Sequence, residues 1–201
     1  MEFVKEFATF LHKNGIIKFG DFTLASGKKS SYYVDLRLIP SYPHQFRTMI
    51  KQLQNTIIDN IRLDNFDSLV SVPTGGLIIA SALAIETVKP LIYVRSKPKD
   101  YGTSKSVEGQ IFKRMKVVMI DDVATTGGSV INAIKSLKEA DIVIEDAYVI
   151  VNRMEGAEQA LKELGVKMHS LTNIIQITQA LHEQKLVSDD ILEKVRNQIS
   201  K

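Results

Sequence analysis

The residues with the strongest chemical pattern are 117–129, VVMIDDVATTGGS. An apolar strand leads into Asp121 and Asp122, then into a turn of Thr, Gly and Ser at the start of a predicted helix. Glycines let backbone N–H groups approach an anion, and the helix N-terminus adds positive potential. The two acids suit sugar hydroxyls or a hydrated cation, so the segment predicts a cradle for a ribose 5-phosphate. The alternative interpretation is a capped helix after a buried strand, with the acids merely at the strand end.

A basic segment precedes this motif. Residues 95–116 hold seven basic residues against two acidic ones, include Gly102 and Gly109, and show no sustained period. A loop of about twenty residues inside a compact domain is usually functional or disordered. Such a loop can close over a polyanion and exclude water. The alternative is a solvated surface hairpin whose lysines face water.

Two further strand ends carry candidate groups. Residues 72–77 (VPTGGL) end a buried strand with a glycine turn, which indicates either a second anion site or a plain tight turn into a helix. Arg153 follows the apolar run 147–151. Its guanidinium can grip a carboxylate or an imide edge through paired hydrogen bonds. The alternative for Arg153 is an ordinary surface residue.

The N-terminal stretch 19–33 (FGDFTLASGKKSSYY) combines lysines with aromatic rings that are able to stack on a planar base. The alternative there is a β-turn with exposed lysines and core tyrosines. The four histidines show no ligand spacing, so we propose no metal site made of side chains.

The elements that must position these groups alternate along the chain. Continuous apolar strands are typical of a parallel sheet with helices on both faces. We therefore expect a doubly wound α/β domain, with a mostly parallel sheet, flanking helices and an N-terminal hood. The predicted strands are 68–72, 91–95, 117–121, 147–152 and 166–171, and the predicted helices are 3–14, 43–61, 76–87, 128–139 and 155–164, with two short helices in the last thirty residues.

Composition narrows the function classes. The 201 residues are 44% hydrophobic and 24% charged, which is typical of a globular chain. With no cysteine, disulfides, thiolate metal sites and cysteine nucleophiles are excluded, and a reducing cytoplasm is the expected location. No apolar run reaches the ~18 residues that a membrane span needs. A net charge of +3 is too small to indicate binding to nucleic acid. We therefore expect neither a membrane nor a nucleic acid as a partner.

Residues 117–129 resemble the phosphoribosyl diphosphate (PRPP) signature of type I phosphoribosyltransferases. Residues 19–33 resemble the hood of the branch of that family that uses orotate, residues 93–102 (YVRSKPKDYG) the start of its mobile loop, and residues 151–153 the strand end that holds orotate. The resemblance covers about residues 15–175. It implies transfer of the phosphoribosyl group of PRPP to orotate, giving orotidine 5′-monophosphate and diphosphate. The alternatives are transfer to another base, or a PRPP-sensing regulator without catalysis.

The resemblance also implies roles for residues. Lys99 and Asp122 are the expected catalytic residues, and Thr125 and Arg153 the expected orotate contacts. Mg²⁺ arrives mainly on PRPP, and the active unit is a homodimer whose loops act across shared sites. One domain spans 1–201, with a hood at 1–65 and a mobile catalytic loop at 96–115. The expected PRPP contacts are Arg95, Lys99, Tyr101, Asp121, Asp122, Val123, Ala124, Thr125, Thr126, Gly127, Gly128 and Ser129.

Three positions depart from the family pattern. Ala25 and Ser96 stand where members of the family carry Lys, and Tyr101 stands where His is often found. The departures put one anion contact of the hood and two contacts of the loop in question.

Overall fold

The structure, a computed structural model, describes residues 2–23, 27–95 and 106–200. No helix within these ranges is both long and apolar enough to cross a membrane. The helices are α1 (Glu2–Lys13), α2 (Pro43–Ile61), α3 (Gly75–Thr87), α4 (Gly128–Glu139), α5 (Ala157–Glu163), α6 (Ile174–Glu183) and α7 (Asp189–Ile199), and the strands are β1 (Ile17–Thr23), β2 (Lys29–Val34), β3 (Ser68–Ser71), β4 (Leu91–Val94), β5 (Val107–Glu108), β6 (Lys116–Ala124), β7 (Val143–Asn152) and β8 (Lys167–Asn173).

The main sheet has six strands in the order β5-β4-β3-β6-β7-β8. All neighbouring pairs are parallel except β4 and β5, which are antiparallel. The chain moves outward from β3 to β4 and then returns to place β6 on the other side of β3. The order of strands therefore reverses between β3 and β6, and in such sheets ligands bind outside the carboxyl ends of the strands at that point. The predicted doubly wound fold is confirmed.

Successive side chains of the central strands alternate between two apolar layers, one on each face of the main sheet. Leu69, Val118 and Ile120 belong to the cluster that holds the buried residues of α1, α2, α3 and α6. Val70 and Met119, one residue away, belong to the cluster with α4 and α5. Because successive side chains of a strand point to opposite faces, a strand buried on both faces is apolar throughout. This accounts for the continuous apolar runs of the sequence.

The hood is assembled from both ends of the chain. Strands β1 and β2 form an antiparallel pair, helix α1 packs on α6, and α7 packs on β2. Helix α2 instead packs against α3 and the main sheet. Within the first 65 residues, α1 thus packs with a C-terminal helix, whereas α2 packs with α3 and the main sheet.

Candidate active site

The candidate site lies where β3 and β6 end side by side. Their register pairs Ser71 with Ile120, and the Ser71 hydroxyl donates a 2.7 Å hydrogen bond to the Ile120 carbonyl. Strand β6 is longer than the predicted 117–121 and continues to Ala124. Asp121 and Asp122 therefore belong to the strand itself, next to the turn that begins α3.

The glycines of that turn are required by the two acids. A Cβ on Gly75 would overlap the Asp122 carboxylate. A Cβ on Gly76 would overlap the Asp121 carboxylate and would lie 2.8 Å from the Ser71 hydroxyl oxygen. Close approach of the helix start to the carboxylates explains both glycines, whether or not the turn also binds an anion. The peptide bond between Pro73 and Thr74, just before this turn, is cis.

The two acids differ in access to solvent. Asp121 is buried, and its carboxylate accepts a 3.0 Å hydrogen bond from the backbone N–H of Asp122. Burial, together with the neighbouring charge of Asp122, raises the pKa of Asp121 to about 8. Asp122 is only partly buried. Of the pair, Asp122 is therefore the carboxylate that is more open to a ligand.

The turn after β6 has the geometry of an anion cradle. Gly127 is the N-cap of α4, and its left-handed φ of 79° favours glycine. Because glycine has no side chain to cap the helix, the first N–H groups of α4 are left for an external acceptor. Thr126, Gly128 and Ser129 are exposed, Thr125 and Val123 are partly buried, and Ala124 is buried.

Arg153 lies directly beside this cradle. Its backbone N–H donates a 2.9 Å hydrogen bond to the Ala124 carbonyl. Its side chain is buried, and Nη2 lies 2.9 Å from Oε1 of Glu155. Placement at the surface, the alternative interpretation, is therefore wrong for Arg153. Stacking on a base is also wrong for Tyr32, because its buried ring is covered by the Arg153 guanidinium, 4.6 Å from the ring centroid.

The base of the loop 96–115 approaches the cradle from the other side. Arg95 donates a 2.6 Å hydrogen bond from Nε to Oε1 of Glu108 on β5. A cavity of about 220 Å³ is lined by Pro73, Arg95, Ser129 and Asn132, among others, which brings Arg95 near the start of α4. The expected PRPP contacts Lys99 and Tyr101, and the departures at Ala25 and Ser96, lie outside the described residues.

Sequence reasoning missed several residues that the fold brings to this edge. Glu155 accepts a hydrogen bond from Arg153, and Gln198 donates one to Glu155. Nothing in the spacing of these two residues along the sequence indicates a role at the site. Arg37 is held by two hydrogen bonds to the Asp35 carboxylate, 2.7 and 2.8 Å long. These bonds raise the pKa of Arg37, and the charge of Asp122 adds to the effect. Arg37 is therefore within electrostatic reach of Asp122.

Replacing Gly76 by Ala tests the close approach of α3. We expect the free energy of unfolding to fall by about 1–3 kcal/mol, because the new methyl group overlaps the Asp121 carboxylate. Gly128→Ala is the matched control, since its Cβ would meet nothing within 4 Å and alanine favours helix by about 0.5–1 kcal/mol. Denaturant unfolding measures both variants, and equal effects would contradict the contact.

Replacing Asp121 by Asn tests the raised pKa. The unfolded carboxyl ionises near pH 4 and the folded one near 8, so its contribution to stability is complete below pH 4 and is lost as pH rises to 8. Between pH 5 and pH 8, the free energy of unfolding of wild type should fall as Asp121 ionises. In Asp121→Asn the fall should be smaller, by about 2 kcal/mol or more. Asp59→Asn, at an exposed acid on α2, is the control. An unchanged pH slope in denaturant unfolding at the two pH values would exclude the shift.

Comparisons with known proteins agree with this geometry. Residues 45–184 match the model of the phosphoribosyl transferase domain family. The chain is 50% identical over 195 residues to the orotate phosphoribosyltransferase of Cenarchaeum symbiosum, with 97% of this chain and 98% of that one covered.

Solved structures give the same result. An orotate phosphoribosyltransferase from Aeropyrum pernix superimposes with a TM-score of 0.78 at 34% identity, covering 90% of this chain and 99% of that one. Leishmania donovani UMP synthase superimposes with a TM-score of 0.83 at 30% identity, over 98% of this chain but only 42% of that longer one. The parallel sheet, the cradle after β6 and these similarities together show that the chain belongs to the orotate phosphoribosyltransferase family.

Proposed function

We infer that this chain transfers the phosphoribosyl group of PRPP to orotate, giving orotidine 5′-monophosphate and diphosphate in pyrimidine nucleotide synthesis. One observation carries the inference. The cradle 121–129 and Arg153 are joined by the hydrogen bond from the Arg153 N–H to the Ala124 carbonyl. This juxtaposition occurs in a chain that is 50% identical to an orotate phosphoribosyltransferase over nearly its full length. The expected cytoplasmic location stays a prediction.

In the proposed reaction, the sugar and its phosphate bind the cradle. Asp122, with Asp121 behind it, holds the ribose hydroxyls, and the turn 123–129 binds the 5-phosphate through backbone N–H groups and the hydroxyls of Thr125, Thr126 and Ser129. Departure of diphosphate leaves cationic character on the ribose, as in other glycosyl transfers. The reaction needs no enzyme nucleophile. Catalysis consists of positioning the base opposite the leaving group and stabilising the charge that develops there.

The leaving diphosphate is the proposed ligand of the loop and its base. Arg95, Lys99 and Tyr101 would contact it, with Lys99 as the catalytic cation. Mg²⁺ enters bound to PRPP, since this ion prefers phosphate oxygens and water and needs only one or two carboxylates from a protein. Asp122 is a carboxylate of the required kind, because its side chain is only partly buried at the same edge. Bound there, Mg²⁺ would supply positive charge to the phosphate oxygens of the leaving group.

Arg153 and Thr125 are the proposed contacts of orotate. A guanidinium matches the planar carboxylate of this base, and purines or uracil offer no such group. This complementarity favours orotate over the other bases that phosphoribosyltransferases use. A regulator that senses PRPP without catalysis would turn over no base at all, so a single assay with a panel of bases separates all three functions.

A homodimer is the proposed active unit. Ile85 and Val88, at the end of α3, are 81% and 89% exposed, the largest values among the exposed large hydrophobic residues of the described chain. Val88 also has a left-handed φ of 53°, which a β-branched residue rarely adopts. An exposed apolar side chain kept in an unfavourable conformation supports a contact with a second copy of this chain, which would cover it.

Replacing Arg153 by Ala tests the base assignment. We expect the KM for orotate to rise about tenfold to hundredfold, because a charge-assisted pair is lost, while the KM for PRPP changes little. Orotate absorbance in the presence of Mg²⁺ and PRPP measures both constants, and thermal unfolding checks that the variant is folded. Arg47→Ala, at an exposed arginine of α2, is the control. Equal weakening of both substrates, or turnover of adenine or uracil instead of orotate, would contradict the proposal.

Mixing two inactive variants tests the shared sites. Lys99→Ala removes the loop cation, and Asp122→Asn alters the cradle. A mixed dimer would contain one site with both defects and one intact site if the loop acts across the interface. After subunit exchange, about half of the dimers are mixed, so roughly a quarter of wild-type activity should return. Exchange that is demonstrated by labelled subunits without any return of activity would show that each loop serves its own subunit.

A further inference from the structure

A buried carboxylate stands at the centre of the contacts around Arg153. The side chain of Glu155 is 2% exposed. Its Oε1 accepts hydrogen bonds from Nε and Nη2 of Arg153 (3.1 and 2.9 Å), from the Tyr32 hydroxyl (3.0 Å) and from Nε2 of Gln198 (3.1 Å). Its Oε2 accepts from Nζ of Lys28 at 2.6 Å. One side chain therefore joins the end of β7, strand β2 with the residue just before it, and helix α7.

The charges of this cluster favour the ionised form of Glu155. Burial opposes ionisation, but the hydrogen bonds and charges of Lys28, Arg153 and Tyr32 outweigh it and hold the pKa of Glu155 below its usual value. A buried carboxylate with this many donors has a fixed orientation, because any rotation would leave a buried donor without a partner.

Glu155 also determines which edge of the Arg153 guanidinium is free. Nε bonds to Glu155 and Tyr32, and Nη2 bonds to Glu155 and to the Ser30 hydroxyl. Nη1 has no acceptor within residues 2–23, 27–95 and 106–200, and this nitrogen is not fully enclosed by the protein. Among the described residues, the guanidinium thus has acceptors for two nitrogens and none for the third.

We propose that Glu155 is a positioning residue for the base. By holding Nε and Nη2, it directs Nη1 of Arg153 toward the base-binding end of the site, so orotate affinity depends on a carboxylate that does not touch orotate. The C-terminal helix takes part, because Gln198 bonds both to Glu155 and to the Ser30 hydroxyl, each at 3.1 Å. This inference rests on the proposed role of Arg153 in orotate binding.

The experiment compares Glu155→Ala with Glu155→Gln. The amide oxygen of Gln can still accept from Arg153, whereas Ala removes every acceptor. We expect Glu155→Ala to raise the KM for orotate about tenfold and to change the KM for PRPP less than about twofold, with most of the effect recovered in Glu155→Gln. Glu158→Gln, an exposed glutamate three residues later, is the matched control and should behave as wild type.

A double variant separates positioning from general damage. If Glu155 acts only through Arg153, adding Glu155→Ala to Arg153→Ala should raise the KM for orotate no further. Should Glu155→Ala fail to fold, Gln198→Leu serves instead, with a rise of about threefold in the KM for orotate and none for PRPP.

Four outcomes would overturn the proposal. A folded Glu155→Ala with wild-type KM for orotate, or with equal increases for both substrates, excludes positioning while the Arg153 assignment stands. If the two substitutions raise the KM for orotate independently in the double variant, positioning is likewise excluded. If Arg153→Ala itself leaves the KM for orotate unchanged, the proposed role of Arg153 fails, and the role of Glu155 fails with it.

Discussion

The close contact between the start of α3 and the end of β6 is the constraint on which the site depends. Parallel strands β3 and β6 end at the same edge of the sheet, and the Ser71–Ile120 hydrogen bond sets their relative height. This arrangement presses Gly75 and Gly76 against the carboxylates of Asp121 and Asp122, where no Cβ fits. The acids are thereby held in one orientation beside the turn that begins α4. A rigid sheet edge, more than any loop, gives the cradle its geometry.

Charge is distributed unevenly over this edge. Asp121 is buried and has a raised pKa, whereas Asp122 is more open. The uncapped start of α4 lies on the same edge, and Arg95 and Ser129 share a cavity there. Negative and positive groups therefore alternate over a short distance. This pattern suits a ligand that carries hydroxyl groups beside phosphates.

The end of the site beside Arg153, the proposed contact of the base, is organised differently, because it relies on a buried ion pair. Burying Arg153 and Glu155 costs several kcal/mol of desolvation for each ion, which only good geometry and further hydrogen bonds offset. Tyr32, Ser30 and Gln198 supply those bonds. Losing one partner of such a pair typically costs about 3–5 kcal/mol. The stability of the hood and the orientation of Arg153 are consequently linked.

Local sequence patterns were enough to predict the doubly wound sheet, the strand–turn–helix at residues 117–129 and the position of Arg153 at a strand end, because apolar periodicity and turn residues are read from neighbouring positions. What surrounds Arg153 depends instead on packing between distant parts of the chain. Tyr32 contacts Arg153 from the N-terminal part of the chain, and Gln198, near the other end, bonds to two partners of Arg153, Glu155 and Ser30, the latter across 168 positions. No local pattern encodes such a contact, since it exists only once α7 has packed on β2. For the same reason the burial of Asp121, the stacking of Tyr32 on Arg153 and the central place of Glu155 could be read only from the folded chain.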